Sequence, residues 1–299
     1  MKDYEKTVTQ CYSTWNTLYY KEYYGKNAPY PPVQTELLRL LLKESNAKSV
    51  LDAGCGPASF LRDILNDGMS LFGFDLTPEM VEEAKRIFSD NGLPEENIWE
   101  GSVLDKGSFV VPGGKQKKFD AIVCSGVLPH ISEDDEEKVL YNLKSAVNPG
   151  GLVALEARNQ FFSLFSLNRY SYDFFRNELV QADKLLQQSG EHVDKVNEYL
   201  EAMKKQFCMD LPPIRKGKES EPGYDEVLSR THNPLVLKAM FEKAGLAEVS
   251  LKFYHYHPLP PIFSTKSQDL FVKQGVAMEN PDDWRGFFMA SAFFVVGRG

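Results

Sequence analysis

The stretch "SVLDAGCGPASFLRDI" at residues 49–64 constrains this chain more than any other. An apolar run typical of a buried strand is followed by a turn that contains Gly54 and Gly56, and then by a helical pattern. Glycine allows a tight turn and lets a ligand approach the backbone closely. Asp52 places a carboxylate directly before that turn. The stretch therefore predicts a binding turn at a strand end, suited to a dinucleotide or to a nucleoside with a charged tail.

Strand and helix patterns alternate around this turn, which is typical of a layered α/β sheet. Strands are predicted at 48–54, 70–76, 97–103, 119–126, 150–158, 247–257 and 287–297. Helices are predicted at 35–44, 58–68, 77–92, 132–147 and 233–245. The alternation is interrupted after the fifth strand by an aromatic-rich helical segment. We therefore predict an α/β fold: a Rossmann-like, doubly wound, seven-stranded sheet with a helical insertion after strand five.

The same pattern predicts that the chain is organised into three parts. Residues 1–34 are predicted to form an N-terminal helical lid, and residues 35–158 and 232–299 the core. Residues 159–231 form the predicted insertion, which would cap the substrate. Open α/β sheets bind ligands at the carboxyl ends of their strands, where such a cap would lie. For most of the aromatic residues of the lid and of the insertion, plain core packing is the better interpretation.

The composition of the chain limits the classes of binding partner that we expect. A formal net charge of -8 argues against nucleic acid, because phosphate binding needs clustered Lys and Arg. No apolar run approaches the roughly 20 residues of a membrane span, and the charged N-terminus is unlike a signal peptide. The four scattered cysteines fit reduced thiols. We expect a cytoplasmic protein with a small-molecule acceptor, without nucleic-acid or membrane partners, and compatible with a homodimer.

The glycine spacing decides between two kinds of nucleoside ligand. A nicotinamide site favours a G-x-G-x-x-G spacing, but the third position here is Ser59. The carboxylate of Asp52 would repel a pyrophosphate and attract an ammonium group. Asp75, at the end of the second predicted strand, can accept hydrogen bonds from two ribose hydroxyls. The glycine spacing and Asp52 disfavour a nicotinamide oxidoreductase, whereas an acid at Asp75 suits either kind of nucleoside ligand.

Five blocks in order extend this pattern: "VLDAGCGPA", "GFDLTPEMVEEAK", "EGSV", "FDAIVCSGVLPHI" and "LKSAVNPGGLVAL". With them, the chain resembles the class I S-adenosylmethionine-dependent methyltransferases, in the small-molecule group that includes the ubiquinone-biosynthesis enzymes. The resemblance covers residues 35–157 closely and the last seventy or so loosely. It departs from the family at Ala58, where many members have a third glycine, and at Ser102, where an aspartate often meets the adenine amino group.

The resemblance implies S-adenosylmethionine as the cofactor and assigns its contacts. The methionine end of the cofactor would contact the glycine turn and Asp52, and the ribose would contact Asp75. The adenine would lie against apolar side chains and the Ser102 hydroxyl. In related enzymes N-terminal helices fold over the cofactor, and we expect three tyrosines to line such a lid. The cofactor-binding residues expected in this way are Asp52, Gly54, Gly56, Asp75, Leu76, Ser102, Val103, Ser125, Tyr12, Tyr19 and Tyr20.

Methyl transfer to a hydroxyl needs a base, and histidine titrates closest to neutral pH. In "KFYHYHPLPP", strand alternation puts His255 and His257 on one face, at the carboxyl end of strand six. We expect these two and His130 to be the catalytic candidates. His255 and His257 have two alternative roles: both could be hydrogen-bonded structural side chains, or both could bind a divalent metal ion together with Glu156. We expect no metal.

The acceptor has its own candidate contacts. Arginine binds carboxylate or phosphate groups, although a surface ion pair would explain the same residues. The candidates are Glu156, Arg158, Arg169, Tyr170, His232 and Tyr254. We therefore expect an enzyme that methylates an oxygen or nitrogen of a small polar metabolite, with a sugar or sugar nucleotide as one example. The alternative is a non-catalytic S-adenosylmethionine-binding scaffold or sensor.

Overall fold

The computed structural model describes residues 1–24, 28–114, 118–211 and 226–299. Part of the predicted insertion, residues 212–225, lies outside these ranges. Within them, no helix combines the length and the apolar character that crossing a membrane requires.

A seven-stranded sheet has the order β3-β2-β1-β4-β5-β7-β6. The strands are β1 Ser49–Ala53, β2 Ser70–Asp75, β3 Ile98–Glu100, β4 Phe119–Cys124, β5 Val147–Arg158, β6 Ala247–Tyr256 and β7 Ala290–Arg298. The pairs from β3 to β5 are parallel, whereas β5 and β7 are antiparallel. The order reverses between β1 and β4, and such a reversal opens a ligand crevice at the strands' carboxyl ends. The predicted fold class is confirmed.

Helices surround the sheet, and four of the five helices with predicted bounds are present. They are α1 Asp3–Tyr23, α2 Val33–Glu44, α3 Pro78–Asp90, α4 Glu136–Ala146, α5 Ser163–Ser166, α6 Arg169–Asp173, α7 Ala182–Gln188, α8 Val193–Lys204, α9 Pro234–Lys243, α10 Gln268–Met278 and α11 Gly286–Met289. Pro78 occupies the first turn of α3, and the Asn233 side chain caps α9 by accepting the amide N–H groups of Leu235 and Val236.

The helix predicted at residues 58–68 is wrong. The chain instead forms successive turns, with a single 3-10 helix at Leu61–Asp63. Ala58 has a φ of 57°, in the left-handed region, so an α-helix cannot include it. From Asp63 onward, backbone amides donate to the carbonyl three residues earlier, as Asp63 does to Phe60. The Asp63 carbonyl accepts a hydrogen bond from the Arg39 side chain. The apolar residues of the pattern are still buried, which shows that periodicity predicted their burial but not their hydrogen bonding.

The chain divides into two compact units. The first contains Met1–Arg158, the described part of Ile214–Lys252, and Ala292–Gly299; the second contains the described part of Asn159–Pro213, and Phe253–Ser291. The predicted lid thus groups with the core. Residues 253–291, predicted as core, group with the insertion instead.

Asn159 organises the second unit through its side chain. Only 2% of it is exposed, and its amide nitrogen donates to the carbonyls of Gly286, Phe287 and Ala290. Its side-chain oxygen accepts the Phe161 amide at 3.1 Å. One buried side chain therefore satisfies four backbone groups.

Replacing Asn159 with alanine should lower the free energy of unfolding of this unit by about 2–4 kcal/mol, because buried backbone groups lose their partners. Denaturant unfolding measures the loss. Asn177→Ala, at an exposed site of the same unit, is the matched control and should change stability by less than about 0.5 kcal/mol. Equal effects of the two substitutions would contradict this role for Asn159.

Candidate functional site: a cofactor cavity in the first unit

A cavity of about 110 Å³ lies in the first unit at the carboxyl ends of β1, β2 and β4. Helix α1 closes one side of it. Its lining comprises Val8, Tyr12, Tyr19, Tyr24, Asp52, Gly54, Cys55, Gly56, Ser59, Phe60, Phe74, Asp75, Leu76, Thr77, Met80, Gly101, Ser102, Val103, Ser125, Gly126, Val127, His130 and Ile131. Ten of the eleven residues that we expected to contact a cofactor are among them, the exception being Tyr20.

The glycine turn is held by backbone contacts to β2. The Gly54 and Cys55 amides both donate to the Phe74 carbonyl, at 2.8 and 3.0 Å. Gly54 has a φ of 90°, and a Cβ built there would lie 2.2 Å from Val127 Cγ2. The turn therefore needs glycine for its conformation and for the close approach of the loop after β4.

The two acids of the cavity are in different states. The Asp75 carboxylate accepts the Gly56 amide at 2.8 Å and the Thr77 amide at 2.9 Å. Asp52 is 2% exposed, and no hydrogen bond to its carboxylate is seen in the described residues. Burial, and then the charge of Asp75, raise the pKa of Asp52 to about 8. Burial raises the pKa of Asp75 as well, but its two amide hydrogen bonds favour its charged form. Asp52 therefore holds a proton at neutral pH.

The opposite end of the cavity is formed by Leu76, Ser102 and Val103. The Ser102 hydroxyl donates to Glu5 Oε1 at 2.6 Å and accepts the Leu104 amide at 3.1 Å. We had expected this hydroxyl to accept a hydrogen bond from adenine, but its contacts in the protein already engage it as donor and acceptor. Glu5 is a site residue that sequence analysis missed, because 97 residues separate it from its partner.

His130 and Tyr12 form a hydrogen-bonded pair at the cavity wall. His130 Nδ1 lies 2.6 Å from the Leu228 carbonyl, so Nδ1 carries the proton. Nε2 then accepts from the Tyr12 hydroxyl, 3.0 Å away. Burial lowers the pKa of His130 to about 4, which keeps the ring neutral near pH 7. The wall of the cavity thus carries an unprotonated ring nitrogen, which is bonded to Tyr12.

Helix α1 is attached to the core near both ends. At its start, Lys2 and Tyr4 donate to Asp135; burial opposes this carboxylate's charge, but these bonds lower the pKa of Asp135 to about 2. Near its end, the Tyr20 hydroxyl donates to Asp63 at 3.1 Å, and Arg62 stacks on the Tyr20 ring. Tyr20 therefore anchors the helix and does not line the cavity, contrary to our expectation.

Tyr24 occupies the position that we had expected for Tyr20. It lines the cavity, and the Ser125 and Gln34 side chains hydrogen-bond its hydroxyl. The repeated tyrosines of "YYKEYY" were a signal for this role, but their helical phase relative to the cavity cannot be read from the pattern alone.

Two of the acceptor-binding candidates lie at the end of β5. Glu156 accepts the Ser125 hydroxyl and, at 2.8 Å, the Gly126 amide, so it supports the loop after β4. Arg158 donates to Ser229, and its charge acts on both Tyr12 and His130. Neither belongs to the cavity lining. Arg158 nevertheless places a positive charge near the pair at the cavity wall.

His232 is a third candidate in the first unit. It is buried, and its Nε2 lies 3.1 Å from Glu136, which Arg230 also contacts. The second side-chain nitrogen, Nδ1, is buried with no hydrogen-bond partner in the described residues. This geometry is that of a structural ion-pair cluster, and the ring is not among the residues that line the cavity.

The remaining candidates belong to the second unit. The His255 and His257 rings stack with centroids 5.1 Å apart. The two rings therefore lie on the same side, as predicted, although the backbone is irregular here: His255 has a φ of 62°, and Glu279 accepts the amides of His255 and Tyr256. Burial lowers the pKa of His255 to about 4; burial, followed by His255, lowers that of His257 to about 3.

The second unit contains three further candidates, of which two contact each other: Arg169, Tyr170 and Tyr254. Arg169 packs over the ring of the half-exposed Tyr170 and donates to its hydroxyl at 3.1 Å, while Tyr254 is buried. Across the described ranges, no group of three or more His, Cys, Asp or Glu side chains is placed to hold a metal ion.

A family model described as a methyltransferase domain matches residues 24–205, more than half of the 299-residue chain. The chain belongs to this methyltransferase family. It is thus a member of the class I S-adenosylmethionine-dependent methyltransferases, as the motifs indicated, and S-adenosylmethionine is the cofactor.

Curated relatives match a part of this methyltransferase. The chain is 27% identical over 169 residues to a tRNA N(3)-methylcytidine methyltransferase from Schizosaccharomyces pombe, covering 51% of this chain and 52% of that protein. It is 30% identical over 138 residues to the glycine N-methyltransferase of Mus musculus, covering 42% and 45%. A ubiquinone biosynthesis O-methyltransferase from Haemophilus ducreyi is 27% identical over 120 residues, covering 40% and 49%. The match spans about half the length of each relative.

Among solved structures, a SAM-dependent methyltransferase from Archaeoglobus fulgidus is similar, with a TM-score of 0.48 and 14% identity. The similarity covers 94% of this methyltransferase and 98% of that chain.

The cavity fits the cofactor on its own chemistry. Asp52, a buried acid to which no described residue donates a hydrogen bond, suits an ammonium group. The carboxylate of Asp75 suits a ribose diol. Leu76, Met80 and Val103 provide apolar surface for a flat base. The residues that would hold S-adenosylmethionine are therefore present together in the first unit.

Proposed function

We propose that this methyltransferase transfers the methyl group of S-adenosylmethionine to an oxygen or nitrogen of a small polar acceptor. The observation that carries the proposal is Asp52, a buried carboxylate that lines the cavity beside the glycine turn and lacks a hydrogen-bond partner in the described residues. An unpaired buried acid costs free energy unless a ligand completes it. The ammonium group of a methionine moiety would provide that completion.

The base in this proposal is His130. When bound, S-adenosylmethionine supplies a methyl group on a positively charged sulfur, which keeps the electron pair of the broken bond. The acceptor lone pair forms the new bond to carbon, and the acceptor loses a proton. His130 Nε2 is the ring nitrogen that can take this proton, because the Leu228 carbonyl fixes the proton on Nδ1. Tyr12, bonded to Nε2, would yield its place to the acceptor.

We propose Arg158 as a contact of the acceptor, because its charge acts on Tyr12 and His130 at the cavity wall. The catalytic or acceptor-binding roles of the candidates in the second unit stay predictions; these candidates are Arg169, Tyr170, Tyr254, His255 and His257. His255 and His257 are neutral near pH 7, and a neutral imidazole can accept a hydrogen bond from a hydroxyl or amine.

We propose a small molecule as acceptor and not a nucleic acid. The relatives named above act on tRNA, on glycine or in ubiquinone biosynthesis according to their names, and a net charge of -8 disfavours a phosphate backbone. A sugar or sugar nucleotide remains one member of the proposed class. Hydroxyl and amine acceptors share the same requirement for a base.

The test is the formation of S-adenosylhomocysteine from S-adenosylmethionine across a panel of small hydroxyl and amine acceptors. Acceptor-dependent turnover is expected from at least one class. Tight cofactor binding by calorimetry, combined with no turnover on any acceptor, would instead favour a non-catalytic scaffold or sensor. Absence of cofactor binding would overturn both readings.

We expect His130→Gln to lower kcat by about a hundredfold or more, because proton transfer loses its acceptor. The dissociation constant of S-adenosylhomocysteine should change by less than about threefold, because glutamine keeps an uncharged polar group at this position of the cavity lining. Steady-state kinetics and calorimetry measure the two quantities. His192→Gln, at an exposed position of the second unit, is the control and should retain the wild-type kcat. A parallel loss of affinity and kcat in His130→Gln would indicate a structural role.

A further inference from the structure

Residues 227–232, here called the crossing segment, lie across the loop that contains His130 and belong to no helix and to no strand of the sheet. The Leu228 carbonyl of this segment lies 2.6 Å from His130 Nδ1. Two residues later, the Arg230 amide donates to the carbonyl of Pro129 at 2.8 Å. The crossing segment therefore contacts both the ring of His130 and the backbone next to it.

Arg230 contacts the loop on both sides of His130. Its amide binds the preceding residue, Pro129, and its guanidinium Nη1 donates to the carbonyl of the following residue, Ile131, at 3.2 Å. The same nitrogen donates to Glu136 Oε1. Because the Arg230 side chain is only 25% exposed, these contacts are largely shielded from solvent. One residue thus holds the loop through its backbone at one end and through its side chain at the other.

Glu136, the first residue of α4, attaches the end of the crossing segment as well. Its side chain is 8% exposed, and His232 Nε2 donates to its Oε1 at 3.1 Å. The His232 amide donates to the Arg158 carbonyl at 2.8 Å. Charge-assisted hydrogen bonds to a carboxylate are shorter and stronger than neutral ones. The buried carboxylate therefore fixes two side chains of the segment against the core.

The position of the Leu228 carbonyl matters because it selects the ring nitrogen of His130 that carries the proton. A neutral imidazole has two tautomers, and the hydrogen bond made by one nitrogen decides between them. The Tyr12 hydroxyl on Nε2 can donate or accept, so it selects neither tautomer. A carbonyl can only accept, so it places the proton on Nδ1 and leaves Nε2 basic.

We propose that Arg230 is a positioning residue for methyl transfer, because its contacts with Glu136 and with the loop keep the Leu228 carbonyl on Nδ1 of His130. This inference rests on the proposed function, in which His130 is the base. Arg230 is not among the residues that line the cavity, so it acts through His130 and not on the cofactor. Loss of its contacts changes the fraction of rings in the reactive tautomer.

The test is Arg230→Met, which keeps a long apolar side chain but removes the guanidinium. Nitrogen NMR of the histidine rings, assigned with His130→Gln, should show His130 with its proton on Nδ1 in the wild-type protein and as a mixture of tautomers in the variant. With an acceptor that the wild-type protein methylates, kcat should fall about tenfold, the size of one hydrogen bond. Affinity for S-adenosylhomocysteine should stay at the wild-type value.

A second substitution tests the same contact from its other side. Glu136→Gln removes the charge but keeps the shape of the side chain, and it should shift the tautomer in the same direction. Combined with Arg230→Met it should add little, because residues of one network are not additive. Additive losses of kcat would show that the two side chains act separately and would overturn the inference.

Two control variants separate positioning from folding. Arg230→Lys restores a cation beside Glu136 and should retain the wild-type tautomer and most of kcat. Lys243→Met removes an exposed ion pair to Glu137, the next residue of α4, and should change neither quantity. A wild-type tautomer in Arg230→Met, whatever its kcat, would overturn the inference and leave the proposed function standing. A wild-type protein without turnover on any acceptor would overturn the proposed function, and this inference with it.

Discussion

Replacing Gly54 with alanine is expected to weaken S-adenosylhomocysteine binding by more than about a hundredfold. Two costs combine at this position. A φ of 90° is strained for any residue with a Cβ, and the new Cβ would lie 2.2 Å from Val127 Cγ2. Overpacking of this kind typically costs about 1–3 kcal/mol before strain is added. Relief requires displacement of Val127 or of the turn, and both line the cavity.

Two matched variants separate the cost of backbone strain from the cost of steric overlap. Gly68→Ala imposes a positive φ of 77° with no atom within 4 Å of the Cβ, so it should reduce stability by about 1–2 kcal/mol and leave ligand affinity unchanged. Val127→Ala in the Gly54→Ala background removes the overlap but not the strain, and should recover part of the affinity. Calorimetry and thermal unfolding measure each effect. Wild-type affinity in Gly54→Ala would show that the turn is not the ligand-binding element.

The fold and the glycine turn were predictable because their determinants are local. Alternating strand and helix patterns predicted the seven strands, and glycine next to an acid predicted the turn. The helix predicted at 58–68 failed for a reason that no periodicity shows, namely the left-handed conformation of Ala58. The departure from the family's third glycine falls at this same residue, so a residue with a Cβ occupies a conformation that favours glycine.

Long-range contacts account for the remaining errors. Glu5 joins Ser102 across 97 residues, and Tyr20 turns outward because Asp63 and Arg62 bind it. Neither contact leaves a periodic signal, since each depends on the placement of α1 against the core. The backbone angle of His255 likewise could not be predicted, because it depends on Glu279, which binds two successive amides 23 and 24 residues away. At these positions the sequence gives the type of side chain but does not indicate the direction in which it points.

Cofactor binding is expected to release close to one proton at pH 7, and Asp52 is its source. Burial, then Asp75, raise the pKa of Asp52 to about 8, so the ligand-free protein holds this carboxyl mainly protonated at pH 7. Pairing with an ammonium group requires the ionised form. Affinity for S-adenosylhomocysteine should therefore rise up to tenfold per pH unit between pH 6 and 8. Calorimetry in buffers of different ionisation enthalpy measures the released proton.

The same group sets a pH dependence of stability in the ligand-free protein. Its folded pKa lies above the ordinary aspartate value of 3.8, so its contribution to stability is fully present below that pH and is lost as pH rises through about 8. Asp52→Asn should remove the slope, abolish the proton release and weaken binding about tenfold or more at pH 8. Asp90→Asn, an exposed substitution at the end of α3, should change none of these. Proton release that persists in Asp52→Asn would assign it to another group and remove the ammonium contact from Asp52.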